Sequence, residues 1–415
     1  MDQKHVLQTL IERALRLINM YSWLLNIYVL DFFVENHWEN LPKSWQESLD
    51  ALDPQDFGKL LIGREIRQVM PLSLLSLLKT VKSLSLSRKP VGNSYKNDDY
   101  APINEKLEKL HYRKVKLKKR HEISVMAELV HKTGCSGVVD FGSGLGHLLR
   151  MLTYKYELHA AGIEQQQQLT QEASKLDEHF VDYARRYLSI DYKQQKPMHI
   201  NMTLKSHGQL SQLHLPNMDE FGLIGLHPCG DLGPLLLHCF VHNDNIKFLC
   251  IVGCCYMKLS ECGYPMSDYT KSLDHKLSYA SMEIACHALD VYIERLVEGN
   301  YDDLKVHAYR AALERILVKH NSALRHAQVR SVKHTNTMTF QSYCLQALHK
   351  LDIAMPSAGE CMAAAANDVM QWRRVVLLYS LRLCVAPLVE TLVLADRLLY
   401  VVQHGECIIL YIFKM

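Results

Sequence analysis

A chain of 415 residues with 48% hydrophobic and 22% charged residues has the balance of a folded globular protein and excludes an extended disordered one. A formal net charge of +3 marks no polynucleotide partner unless the basic residues are gathered in one place. The 12 cysteines contain no C-x-x-C pair, and no basic flank, short apolar core and cleavage site open the chain, so a reduced, cytoplasmic or nuclear compartment is expected.

Residues 1–85 carry helical stripes, Val6, Leu10, Ala14 and Leu17 among them, and later Leu74, Leu78, Val81 and Leu84. Pro42, Pro54, Gly63 and Pro71 punctuate the turns between them. The stripes read as core, and the helical regions are also where a protein partner would dock. Residues 87–104, with Pro90, Gly92, Asn93 and Pro102, read as a polar connector. Arg113 to Arg120 follows, six basic residues in eight. It reads either as a solvated turn or as a phosphate-facing patch for RNA.

From Gly137 apolar runs alternate with helical patterns, the signature of a parallel sheet covered on both faces. Strands are predicted at Val138–Phe141, Leu158–Ile163, His199–Leu204, Phe221–Leu226 and Phe248–Gly253, with helices at Leu145–Tyr156, Gln165–Leu188 and Leu232–Val241. Residues 260–355 read as mainly helical, including Ser278–Leu296 and Asp303–Lys319. A long helix over Trp372–Val402 and a strand-like run, Cys407–Phe413, close the sequence. A membrane span needs about 20 predominantly apolar residues. Leu17–Leu30 is too short, and Arg382, Glu390, Asp396 and Arg397 interrupt Val375–Val402, so no span is expected. The expected division is an N-terminal helical region (1–112), a Rossmann-like core (113–260), a helical insertion after strand five (261–370) and a C-terminal helix and strand returning to the sheet (371–415).

The stretch Val138-Val139-Asp140-Phe141-Gly142-Ser143-Gly144-Leu145-Gly146-His147 reads as a strand, a glycine turn and a helix start. Its G-x-G-x-G spacing departs from the G-x-G-x-x-G of dinucleotide sites, which disfavours a nicotinamide dehydrogenase. Asp140 suits a cationic ligand, and Glu164, at the end of the next apolar run, is placed to bind a ribose diol. The pair resembles motif I and its acidic partner in class I S-adenosylmethionine-dependent methyltransferases. On that resemblance Asp140, Gly142, Ser143, Gly144, Gly146 and Glu164 are the candidate cofactor contacts.

Ligands of open parallel sheets bind beyond the carboxyl ends of the strands, so later strand ends should converge on the same place. After strand three, Gln209 is either a contact to an adenine edge or part of an ordinary turn. After strand four, His227 is a candidate general base, or a histidine bonded to a neighbouring loop. Asp231 is a catalytic candidate whose favoured reading is as the cap of the helix starting at Leu232. Tyr256, after strand five, would line a substrate pocket or sit in the core. His227, Cys229, Cys254 and Cys255 fall near one another, yet adjacent cysteines with no second short-spaced pair fit zinc poorly. No metal is assigned, and a buried, inert thiol pair is expected.

Longer strings are more specific. Asp31-Phe32-Phe33-Val34-Glu35-Asn36-His37-Trp38, Lys118-Lys119-Arg120-His121-Glu122, Gly225-Leu226-His227-Pro228-Cys229-Gly230-Asp231-Leu232 and Val252-Gly253-Cys254-Cys255-Tyr256-Met257-Lys258-Leu259-Ser260 resemble the eukaryotic methyltransferase-like 25 family, over nearly the whole chain. The resemblance implies a class I fold, S-adenosylmethionine as methyl donor and a methyltransferase. Adenine-N6 methylases carry an Asn or Asp and an aromatic where this chain has His227-Pro228-Cys229-Gly230, which argues against adenine dimethylation. The His-x-Cys-Gly and Cys-Cys-aromatic strings are also similar to a family of tRNA ribose 2′-O-methylases, which favours RNA, with protein as the rival substrate. Class I sheets close with a two-strand hairpin, and only Cys407–Phe413 is available for it. The sheet is therefore expected to lack its last strand, and a non-catalytic scaffold is the alternative from another class.

Overall fold

The computed structural model describes residues 2–87, 105–113, 115–192, 196–286, 289–332, 335, 337–349 and 358–405. The strand expected at Cys407–Phe413 and nearly all of the polar connector lie outside them. Two compact units divide the chain: Met1–Ile11 with Ser87–Lys276 and Val393–Met415, and Glu12–Leu86 with Leu277–Leu392.

The first unit holds a five-stranded sheet, β1 Gly137–Phe141, β2 His159–Glu164, β3 Met198–Asn201, β4 Phe221–Leu226 and β5 Ile246–Val252, in the order β3-β2-β1-β4-β5. Every pairing is parallel. This is the Rossmann-like α/β arrangement expected, with β4 where the apolar run placed it. Side chains alternate across a strand, so neighbouring residues feed opposite faces. Val138, Ala160 and Ile224 pack with Ile123, Met126, Ala127 and Val130 of the helix Leu117–Lys132 and with Leu149 and Leu152 of the helix His147–Tyr156. Val139, Phe141, Ala161, Ile163 and Leu223 pack on the other face with Leu236 and Cys239 of the helix Leu232–Val241. Both faces are therefore apolar, and polar chemistry is left to the strand ends.

The second unit consists of helices and turns among its described residues. Pro54–Leu61 lies close on Leu289–Val297: a Cβ at Gly58 would stand 2.8 Å from the Leu296 Cβ, and Gln55 Nε2 donates to the Val297 carbonyl at 2.8 Å. The single helix expected over Ser278–Leu296 is two, Tyr279–Ile284 and Leu289–Val297.

The helix Trp372–Gln403 is long and apolar enough to cross a membrane, but 89% of its most apolar window is buried. Its interrupting charges have buried work within the fold. Asp396, fully buried, accepts from the Met266 and Ser267 backbone N–H groups and the Ser267 hydroxyl. Arg382 donates to the Leu25 and Ala280 carbonyls. These contacts are those of a core helix.

Candidate functional site

A cleft of about 610 Å³ opens at the carboxyl ends of the strands. Its walls come from Phe141 and Gly142 after β1, Glu164 to Gln166 after β2, Met202 to Lys205 after β3, and His227, Cys229 and Asp231 after β4. The strand order reverses between β1 and β4, the place where parallel sheets accept ligands.

The glycine turn is held to β2 by backbone and carboxylate together. Gly142 and Ser143 donate to the Ile163 carbonyl at 2.9 and 3.3 Å. Gly144, at φ +55°, donates its N–H to Glu164 Oε2 at 3.1 Å, and Gln166 N–H donates to Glu164 Oε1 at 2.9 Å. A carboxylate offers about four acceptor directions, so two remain for a ligand's hydroxyls at the cleft wall. Asp140 is almost fully buried, and its Oδ1 has no hydrogen-bond partner among the described residues. Burial, above all, pushes its pKa up to about 8, against the opposing pull of the Lys119 charge. Asp140 itself does not line the cleft, whose wall begins at the next residue, Phe141; its orphaned carboxyl oxygen is a buried acceptor one position from that wall.

Asp140 also sets a pH dependence. With a folded pKa near 8 and an unfolded one near 3.9, the folded chain holds an extra proton between those values. Stability should therefore fall as pH rises through that window, by up to roughly 1.4 kcal/mol per pH unit. Asp140→Asn is expected to flatten this slope and to unfold at a higher temperature than wild type at pH 8. Differential scanning calorimetry from pH 4 to 8 reads it directly, and parallel slopes in the two proteins would refute the assignment.

His227 stands at φ +67°, a costly backbone for a non-glycine residue, and lines the cleft. Its Nε2 lies 3.1 Å from Glu122 Oε2 on the helix Leu117–Lys132. Glu122 is 7% exposed, and a hydrogen bond at this distance places the ring's N–H on Nε2 toward its carboxylate. The other ring nitrogen, Nδ1, is buried and has no partner among the described residues. Glu122 was missed in the sequence, although it shares a helical face with Met126 and Val130, and an acid on a buried stripe is the signal that could have found it. The same helix ties the basic run to the site: Val115 is buried, Arg120 Nε donates to its carbonyl, and Lys116, Lys118 and Lys119 are exposed.

Other candidates are placed elsewhere. Asp231 lines the cleft but caps no helix N–H; its Oδ1 accepts from Ser260 N–H at 2.9 Å, tying the loop after β4 to the loop after β5. Gln209 does not line the cleft, because its Oε1 is taken by the Lys205 and Ser206 N–H groups in a capping box. Tyr256 is 3% exposed with Arg397 over its ring, as a core tyrosine. Ser143 packs over Gly162 of β2, where a Cβ would stand 2.6 Å from its Oγ. Gly146 faces inward, where a Cβ would meet His199 Cε1 at 2.8 Å. Of the cysteines, Cys229 is exposed and Cys254 and Cys255 are half-buried, so no buried pair forms; their three sulfurs converge, and His227 is not in that cluster.

Sheet order, glycine turn and cleft are those of a Rossmann-like domain, and the family model described as "Methyltransferase domain" matches residues 118–262. The chain is similar to "Probable methyltransferase-like protein 25" of Mus musculus, 29% identical over 212 residues, and to its namesake of Homo sapiens, 29% identical over 213. Each match covers 47% of this chain and 35% of the relative, so the chain spans about a third of the length of these curated relatives. No solved structure matches it.

Proposed function

We propose that the domain is an S-adenosylmethionine-dependent methyltransferase with RNA as its substrate. The observation that carries this reading is Glu164, fastened to the Gly144 N–H at the cleft wall with acceptor directions unspent. S-adenosylmethionine would supply a methyl group already activated on a sulfonium. Glu164 would hold the sugar hydroxyls, and Asp140 would face the positive charge. His227, at the cleft wall, would take the proton of an attacking hydroxyl or amine while Glu122 holds the ring. The exposed Lys116, Lys118 and Lys119 support a polyanion, because the Lys119 charge is felt at Asp140 itself.

The test begins with calorimetric titration of S-adenosylmethionine at pH 7 in two buffers of different ionisation enthalpy. Binding is expected to release up to one proton, as the ligand's charge draws Asp140 back to its ionised form. Methyl label should then pass to RNA. His227→Ala should keep the binding and lower the transfer roughly 10²-fold or more. Absence of binding would overturn the cofactor reading. Equal transfer by the variant would overturn the base, and label in protein alone would move the substrate class to protein.

A further inference from the structure

We infer that Cys229, Cys254 and Cys255 form a three-thiolate site for a thiophilic divalent cation of the zinc class, with a fourth position open toward the cleft. The Sγ–Sγ separations are 3.5 Å for Cys229–Cys254, 3.3 Å for Cys229–Cys255 and 3.4 Å for Cys254–Cys255, a nearly equilateral triangle. Zinc–sulfur bonds of about 2.3 Å set tetrahedral thiolates about 3.8 Å apart, so a few tenths of an ångström of opening seats the ion. A disulfide would use two of these sulfurs and strand the third; a metal uses all three.

The triangle is assembled from two loops already locked together. Cys229 follows β4, while Cys254 and Cys255 follow β5. Asp231 accepts from Ser260 N–H between the loops, and Gly230, at φ +60°, lies so close to the Lys258 carbonyl that a Cβ would stand 3.0 Å from it. Three thiols at this spacing cannot all ionise without a cation among them. Metal binding would break three S–H bonds, form three metal–sulfur bonds and pass three protons to solvent, with no change of oxidation state. Cys229 lines the cleft, so an exchangeable fourth ligand would enter from there, the layout of a catalytic rather than a structural zinc site.

The test needs no S-adenosylmethionine, so it succeeds or fails apart from the methyl-transfer reading. Reduced full-length chain is titrated with Co²⁺ without air. A thiolate-to-cobalt charge-transfer band and tetrahedral visible bands should saturate at one equivalent and be displaced by Zn²⁺. Zn²⁺ should also protect Cys229, Cys254 and Cys255 from iodoacetamide while Cys135 and Cys262 stay reactive, as mapped by mass spectrometry. Cys254→Ser should abolish the band and Cys135→Ser keep it, with circular dichroism confirming that both fold. No band in the wild type, an unchanged protection map, or a band persisting in folded Cys254→Ser would overturn the site. Should the variant not fold, the wild-type protection map decides.

Discussion

Glu164→Ala is expected to weaken S-adenosylmethionine binding about 10²- to 10⁴-fold, the largest loss from any single cleft residue. Hydrogen bonds to a charged group contribute about 1.5–3 kcal/mol each, and two to a sugar diol make about 3–6 kcal/mol. The carboxylate has a second task, since Gly144 N–H and Gln166 N–H both rely on it. Its removal leaves one backbone donor in the glycine turn and one just after β2 without this acceptor, and the turn should loosen. Glu164→Gln separates the two tasks: it retains one oxygen for a backbone donor and should lose less affinity than alanine. Isothermal titration of the three proteins, with far-ultraviolet circular dichroism as the folding check, measures this. An affinity within about threefold of wild type for the alanine variant would mean that the cleft binds its ligand by other groups.

The sheet was legible because apolar runs and glycine turns are local signals. β1, β2 and β4 came within one or two residues of their predicted bounds. β3 ends at Asn201, not at Leu204, because Met202 to Lys205 leave the ladder to wall the cleft. Side-chain roles were less legible, since they depend on what the loops meet. Asp231 occupies the capping position at the head of its helix, yet its carboxylate turns to a backbone donor on another loop, Ser260 N–H. Gln209 lay at the right strand end but spends its amide oxygen on its own turn. Glu122 and His227 are 105 positions apart, and no spacing rule joins them. The three cysteines pose the same difficulty: one sulfur after β4 meets two after β5 only because the strands are neighbours. Four-ligand zinc spacing never appears in the sequence, as the set holds three.

Asp177→Ala should cost the domain about 3–5 kcal/mol, the usual effect of stripping the partner from a buried charge. Asp177 and Arg150 have side chains each 5% exposed, with Arg150 NH1 2.6 Å from Asp177 Oδ1. His199 Nε2 meets the other carboxylate oxygen, so one acid satisfies the helix after the glycine turn and the strand β3 together. Arg150 also donates to the Leu145 carbonyl within the turn and approaches His147 Nδ1 at 3.1 Å. The alanine variant leaves a guanidinium without its counter-charge directly beneath Gly146, whose left-handed backbone leaves little room for adjustment. The thermal midpoint should drop by roughly 6–20 °C on the scale of domains this size. Ligand affinity should fall as well, although Asp177 touches nothing in the cleft, because the turn that presents Gly142 and Gly144 is anchored through Arg150. Asp177→Asn keeps an oxygen for the guanidinium and should recover part of both losses. If the alanine variant instead melted within about 2 °C of wild type, the Ala173 and Leu145 carbonyls would suffice for the Arg150 guanidinium, and the turn would owe its shape to Glu164 and its backbone bonds to Ile163.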